Sequence, residues 1–267
     1  MDSPVLYEAD AQGIVTITLN RPEMRNPISD PDVVEALLAA LDRLEGDASA
    51  RVAILTGAGK AFSSGGNINK MKPGAGLNAG LPARTRGNYK RGIQLLPLAF
   101  AALEVPVIAA VNGPAIGAGL DLACMCDLRI ANESAKFAES FVKLGIIPGD
   151  GGAWLLQRAV GFAKAAEMSL TGDTIDAAEA LACGLVSKVV PDDQLLDAAR
   201  ALAARVAVNP PFAVRMAKRL LWEGRRSDLA TVLEMSAAMQ AVAHATSDHE
   251  EAVNAFLEKR TPVFKGD

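Results

Sequence analysis

Two glycine-rich turns and two aspartates are the parts of this chain that could do chemistry. The turns are GAGKAFSSGGN (57–67) and NGPAIGAG (112–119). Each directly follows an apolar, β-branched run, VAILT (52–56) and PVIAAV (106–111). In open α/β sheets such strand ends line the ligand crevice, and glycine lets the backbone approach a ligand closely. Two N–H groups aimed from two loops at one carbonyl oxygen would stabilise the negative charge that develops there. In the stretch SFVKLGIIPGDGG (140–152), Asp150 stands between a proline and glycines, just before a helical pattern begins at Ala153. Pro-Gly-Asp-Gly is ordinary turn chemistry. Its apolar neighbours, IIP and AW, equally suit a carboxyl at a pocket mouth, raised in pKa for proton transfer near neutrality. Asp121, in GLDLACM, lies in the first turn of a short helical pattern, where the helix dipole favours an acid.

Other chemistries fit less well. GAGKAF would be a phosphate-binding P-loop only with glycine at position 54, which is Ile54, and GPAIGAG does not match G-x-G-x-x-G. The only histidines, His244 and His249, lie near the C-terminus, so a histidine triad would require the C-terminal helices to fold back over a pocket. Cys124, Cys126 and Cys183 have no metal or disulfide spacing, read as small core residues, and suggest a reducing, cytoplasmic setting. No clustered metal-ligand set is visible, and Trp154, Trp222 and the methionines read as packing residues. A net charge of −4 argues against a nucleic-acid protein, while leaving room for a local basic patch that grips a phosphorylated small molecule. The N-terminal stretch lacks a signal-peptide pattern, and no run is long and apolar enough to span a membrane.

The elements that must position these residues are legible as period and punctuation. Strands are expected at 14–19, 52–56, 106–111, 128–131, 136–138 and 185–190. A helix should begin at Pro31, capped by Ser29 or Asp30, with Val33, Val34, Leu37, Leu38, Leu41 and Leu44 on one face. Further helices are expected at 88–103, 120–125, 153–160, 162–170 and 174–183, and from Pro191 to near Lys259, interrupted at Asn209-Pro210-Pro211. Residues 71–86 read as an irregular surface loop. Alternating strands and helices, with a helical C-terminal appendage, predict an α/β fold.

The segments AFSSGGNINKM, PVIAAVNGPAIGAGLDLACMCDLRIA, KFAESFVKLGIIPGDGG and GLVSKVV, in this order, resemble the enoyl-CoA hydratase/isomerase (crotonase) superfamily. The resemblance implies a spiral of ββα units over residues 1–200. It also implies a helical region over 201–267 that packs homotrimers or dimers of trimers. The partner is then an acyl-CoA, which is substrate rather than cofactor; no further cofactor is implied. Residue by residue, the N–H of Ser64 matches the first oxyanion donor, and that of Ala118, where the family more often has glycine, the second. Gly65, Gly66, Asn67 and Ile68 would flank the thioester, with Gly117 and Phe141 also against the substrate. Met24 and Arg25 would sit near the CoA adenine and ribose, although Arg25 also reads as a solvated surface base. Asp121 matches the first hydratase glutamate, one methylene shorter. The second falls on Phe141, which cannot move a proton. Glu139 lies two residues earlier, on the same face if KFAES is a strand and about 6–7 Å away, a distance that suits a rim or ion-paired acid better. Asp150 lies one residue late compared with the single acid of some isomerases in the superfamily. The implied activity is hydration of a 2-trans-enoyl-CoA, with double-bond isomerisation or an inactive acyl-CoA-binding scaffold as alternatives.

Overall fold

The computed structural model describes residues 3–72, 74–78 and 80–267. Met1 and Asp2 of the N-terminal stretch, and Pro73 and Ala79 of the expected 71–86 loop, lie outside them. The chain opens with a hairpin, β1 (Val5–Ala9) and β2 (Ile14–Leu19), paired antiparallel. Helix α1 (Pro31–Gly46) follows, with Asp30 at its N-cap and Pro31 in its first turn, and buries Val33, Val34, Leu37, Ala40, Leu41 and Leu44. Next come β3 (Val52–Gly57), α2 (Pro82–Arg91), α3 (Leu95–Ala102) and β4 (Val107–Val111).

A strand–strand–helix pattern then repeats. β4 leads into the short β5 (Ala115–Ile116) and α4 (Ala118–Met125). β6 (Leu128–Asn132) leads into β7 (Lys136–Ala138) and α5 (Gly152–Thr171). β8 (Thr174–Asp176), α6 (Ala177–Ala182) and β9 (Val189–Val190) close the series. The chain ends in α7 (Leu195–Ala207), α8 (Pro211–Glu223), α9 (Leu229–His244) and α10 (Ser247–Glu258). One sheet has the order β1-β2-β3-β4-β6-β9, parallel from β2 onward, and a second has β5-β7-β8. From β4 onward, the pairs β4/β5, β6/β7 and β9/β8 each place one strand in either sheet, whereas β1, β2 and β3 join the large sheet alone.

The large sheet is buried on both faces, as the unbroken apolar runs of β3 and β4 require. Ala53 and Leu55 face the main core with α1, whereas Val52, Ile54 and Ile108 face Leu195, Ala199 and Ala203 of α7. Burying each such Ile or Leu stabilises the fold by roughly 1.5–3 kcal/mol.

Several expected elements differ. β1 was not anticipated. The 71–86 loop gives way to α2 at Pro82. The helix expected over 174–183 starts only at Ala177, because Thr174–Asp176 pairs antiparallel with β7. The strand expected over 185–190 is confined to Val189–Val190, where β6 offers partners. α5 joins the two helices expected over 153–160 and 162–170 across a non-helical Gly161 at φ 78°.

Two asparagines hold the strand-end loops. Asn112, after β4, donates to the carbonyls of Gly57 and Gly59 at 2.8 and 3.0 Å and accepts from the Gly57 amide at 3.1 Å. Asn26, buried and in the left-handed region at φ 55°, donates to the carbonyls of Ala58 and Ala61, both at 2.9 Å, and accepts from the Arg21 amide at 2.9 Å. Asn26→Ala removes all three bonds and puts a less suited residue at positive φ. It is expected to destabilise the fold by roughly 2–4 kcal/mol in urea unfolding; a loss below about 1 kcal/mol would show that the loop does not depend on it.

Candidate active site

The loops after β3 and β4 are zipped together. Ser63 N–H donates to the Pro114 carbonyl at 3.1 Å, and Ile116 N–H to the Ser63 carbonyl at 3.0 Å. Gly65, at φ 78°, packs so closely that a Cβ there would lie 3.0 Å from the Ala118 nitrogen and would collide with the Ile116 carbonyl. Gly117 turns the chain at φ 53° and ψ −121°, making Ala118 the first residue of α4. An N–H at that position has no partner within its own helix.

The other expected donor requires a correction. The Ser64 N–H is spent, donating to the Arg25 carbonyl at 2.8 Å. Gly65 N–H donates to Ser63 Oγ at 3.1 Å, and Asn67 N–H to Ser29 Oγ at 3.0 Å. Between them, Gly66 N–H has no acceptor among the described residues. The structure therefore moves the candidate donor from Ser64 to Gly66, two residues on. Ser64 instead ties this loop to Met24 and Arg25, whose side chains are exposed. Asn67 turns away from the amides to donate to Asp30 at 3.2 Å, and Ile68 is 67% exposed. The Met71 methyl group lies against Gly66 in the space a Cβ would fill.

Three carboxyls gather beside the first turn of α4, which carries Asp121 three residues after Ala118. Asp121 and Glu139 are fully buried, and Asp150 is 3% exposed. Asp121 and Glu139 approach each other around Gly152, the first residue of α5, where any Cβ would collide with both carboxyls. As carboxylates, neither oxygen of Asp121, neither of Glu139, nor Asp150 Oδ1 has a hydrogen-bond donor among the described residues. Asp150 and Glu139 can bond to Asp121 only where the carboxyls share a proton. No ion pair neutralises them there either. Burial without counter-charge favours the protonated forms. Burial, then the charges of Asp150 and Glu139, push Asp121 well above the carboxylate range. Burial and the charge of Asp150 raise Glu139 to about 8, and burial raises Asp150.

These positions decide two open readings. Asp150 is not a surface turn acid: Gln94 Nε2 fastens the turn by donating to the Gly149 carbonyl at 2.6 Å, and the carboxyl is buried. Glu139 is neither a rim acid nor ion-paired. The strand ends at Ala138, and a 3₁₀ turn over Ser140–Leu144 begins directly after Glu139. The two-residue strand offset therefore does not apply, and Glu139 joins Asp121 while Phe141 packs its ring 3.5 Å from the Cβ position of Gly117. The sequence did not reveal that the Gly66 amide is the one left without an acceptor, nor that Gly152 forms the gap between the acids; the double glycine at each place was the available signal.

A cavity of about 1380 Å³ adjoins this group. Its lining includes the half-buried Asn67, Met71, Tyr89, Gln94 and Gly149 and the exposed Arg86, Lys90 and Arg91. The Tyr89 ring packs against Gly149, beside Asp150, and burial, then the charge of that acid, raises its phenol. His244 and His249 pack edge to face on α9 and α10, with Nδ1 of the first 2.9 Å from Nε2 of the second, and line neither this cavity nor the acid group.

The family profile for enoyl-CoA hydratase/isomerase matches residues 9–267. The chain is 41% identical to a probable enoyl-CoA hydratase of Mycobacterium bovis, over 97% of both chains. It is 38% identical to the 1,2-epoxyphenylacetyl-CoA isomerase of Escherichia coli, over 96% of each. The crystal structure of an enoyl-CoA hydratase from Bacillus anthracis superposes with a TM-score of 0.91 at 36% identity, covering 99% of this chain and all of that one. Fold, strand-end loops and sequence agree: the chain has the crotonase fold and belongs to the enoyl-CoA hydratase/isomerase family.

Proposed function

We propose that the protein moves a proton between carbons of an acyl-CoA thioester, shifting a 3-enoyl-CoA to its conjugated 2-enoyl isomer. The observation that carries this reading is the group of three buried, uncompensated carboxyls beside α4, with Phe141 where a hydratase would hold its second glutamate. An ionised carboxylate takes the proton from Cα. The electron pair passes into the thioester, giving a dienolate whose oxygen accepts hydrogen bonds from the amides of Gly66 and Ala118. The proton returns at Cγ, leaving the double bond between Cα and Cβ and the carboxylate restored. Asp121 and Asp150 are the assigned proton carriers. Raised pKa values suit this work, because the same group must be able to hold and release a proton near neutrality. The amides do the polarising, so the step calls for no metal or redox cofactor. The exposed Arg86, Lys90 and Arg91 in the cavity lining suit the phosphates of a CoA.

Hydration of a 2-enoyl-CoA is the second reading. It is favoured by the number of acids: one ionised carboxylate could take a proton from water while a protonated neighbour delivers one to Cα. Two substrates separate the readings. With a 3-enoyl-CoA, the absorbance of the conjugated thioester should rise; with crotonyl-CoA, its loss would indicate hydration instead. Tight binding without either change would leave a scaffold.

Assembly through the C-terminal helices belongs to the same proposal. α9 buries none of its residues, and Leu229, Leu233, Val242, Phe256 and Leu257 are between 58% and 83% exposed. Apolar surface of this kind on a folded chain is normally covered by a partner, here copies of itself.

A further inference from the structure

The far end of α4 borders a second cleft of about 470 Å³, lined by Cys124, Asp127, Arg158, Arg205, Trp222 and Arg225, among others. Ala118 begins this eight-residue helix at the acyl-CoA site, and Cys124 in the cleft wall lies six residues further on, about 9 Å along the axis at 1.5 Å per residue. With Arg129 and Lys218 also in the wall, five cationic side chains and one acid line the cleft, a local balance of +4 in a chain whose net charge is −4.

The acid is already committed. Asp127 pairs with Lys218 at 2.9 Å and accepts from Trp222 Nε1 and the Val107 amide, both at 2.8 Å. Arg129 is also accounted for, donating to the carbonyls of Leu185 and Cys126 at 2.8 and 2.7 Å. Arg158, Arg205 and Arg225 have no carboxylate partner among the described residues. Arg158 lies 3.9 Å from the centre of the Trp154 ring, and Arg225 lies 4.7 Å from the centres of both Trp154 and Trp222. The side chains of Arg205 and Arg225 donate to no acceptor among the described residues. Burial, then the charges of Arg158 and Arg129, make the Arg225 guanidinium less basic than usual. An aromatic face offsets part of the cost of holding such a charge out of water. It supplies no acceptor for the N–H fork, whose geometry matches phosphate oxygens; Arg158 gives only Nη1 to a carbonyl, that of Trp154 at 3.0 Å.

We propose that this cleft is a second, separate ligand site that binds a small oligophosphate, free or carried on a nucleotide, through Arg158, Arg205 and Arg225. Its volume falls in the range of ordinary small-molecule sites.

Trp154 and Trp222 are the only tryptophans in the chain. Trp222 lines this cleft and Trp154 stacks on Trp222 at 6.1 Å, so intrinsic tryptophan fluorescence responds to binding here, and the arginine variants below separate that response from binding at the acyl-CoA site. Full-length protein is titrated with pyrophosphate, ADP and adenosine at constant ionic strength. A saturable change with pyrophosphate and ADP, absent with adenosine, is expected. ADP binding much more tightly than pyrophosphate would identify a nucleotide, and equal affinity a free oligophosphate. Arg225→Gln and, as a second variant, Arg158→Gln should each weaken binding at least tenfold, with circular dichroism unchanged. No saturable change with either phosphate in the wild-type protein, or undiminished affinity in both folded variants, overturns the assignment.

Discussion

Ala118→Pro should lower kcat by about 10²–10³-fold, the usual effect of losing one oxyanion donor, while leaving the fold intact. Proline replaces the N–H with a ring methylene, so the loss includes the donor and the space in front of it. At the first position of a helix that N–H has no intrahelical acceptor, and proline's fixed φ suits the site. Gly117 before it has ψ −121°, outside the helical region that a following proline disfavours. Ala118→Ser keeps the amide and should stay near the wild-type rate. The pair is read by steady-state kinetics on whichever enoyl-CoA the protein converts, with circular dichroism as the check on folding. A proline variant that folds and turns over normally would remove the second donor from the mechanism.

The Asp121→Asn variant is expected to move activity and stability in opposite directions. Its rate should fall by about 10²–10⁴-fold, as for other lost acid–base groups. Its melting temperature should rise at alkaline pH. The sign follows from proton binding: the native pKa values of Asp121, Glu139 and Asp150 are all raised, so the native state holds more protons than the unfolded chain. Their stabilising contribution is complete below the ordinary carboxylate range and is lost as pH rises through the native values, of which that of Glu139 is about 8. The wild-type melting temperature should therefore fall between about pH 5 and 8. The variant, with one fewer charge to bury, should show a shallower fall and cross above the wild type. Calorimetric melting across that interval provides the readout. A variant that melts below the wild type at the alkaline end contradicts the uncompensated acid group, and one that keeps full rate removes Asp121 from the chemistry.

The central strands of the large sheet, β3 and β4, were legible because they are buried on both faces, and unbroken apolar runs such as VAILT and PVIAAV have few other uses; the half-exposed edge strand β1 was not. The small sheet was less so. Residues 174–176 form a strand only because β7 lies beside them, a pairing between distant segments that local periodicity does not register. At the site, the two loops and the carboxyls Asp121 and Asp150 were visible as residue types in place. Which amide stays free was not: the Ser64 N–H is consumed by Arg25, a residue far earlier in the chain whose carbonyl direction depends on a left-handed turn. Glu139 was misjudged by alternation, since its strand stops one residue before it and the following 3₁₀ turn changes where both it and Phe141 point.

The group proposed to tolerate charge on the thioester oxygen is written in main chain, and every residue but proline carries it. Side-chain drift at positions 66 and 118 is thus limited by space and backbone angle more than by reactivity. Each proton carrier, by contrast, can be lost or gained by a single codon change. A lineage on this scaffold can exchange one reaction for another by relocating an acid around Gly152 while its way of holding an enolate passes on unaltered.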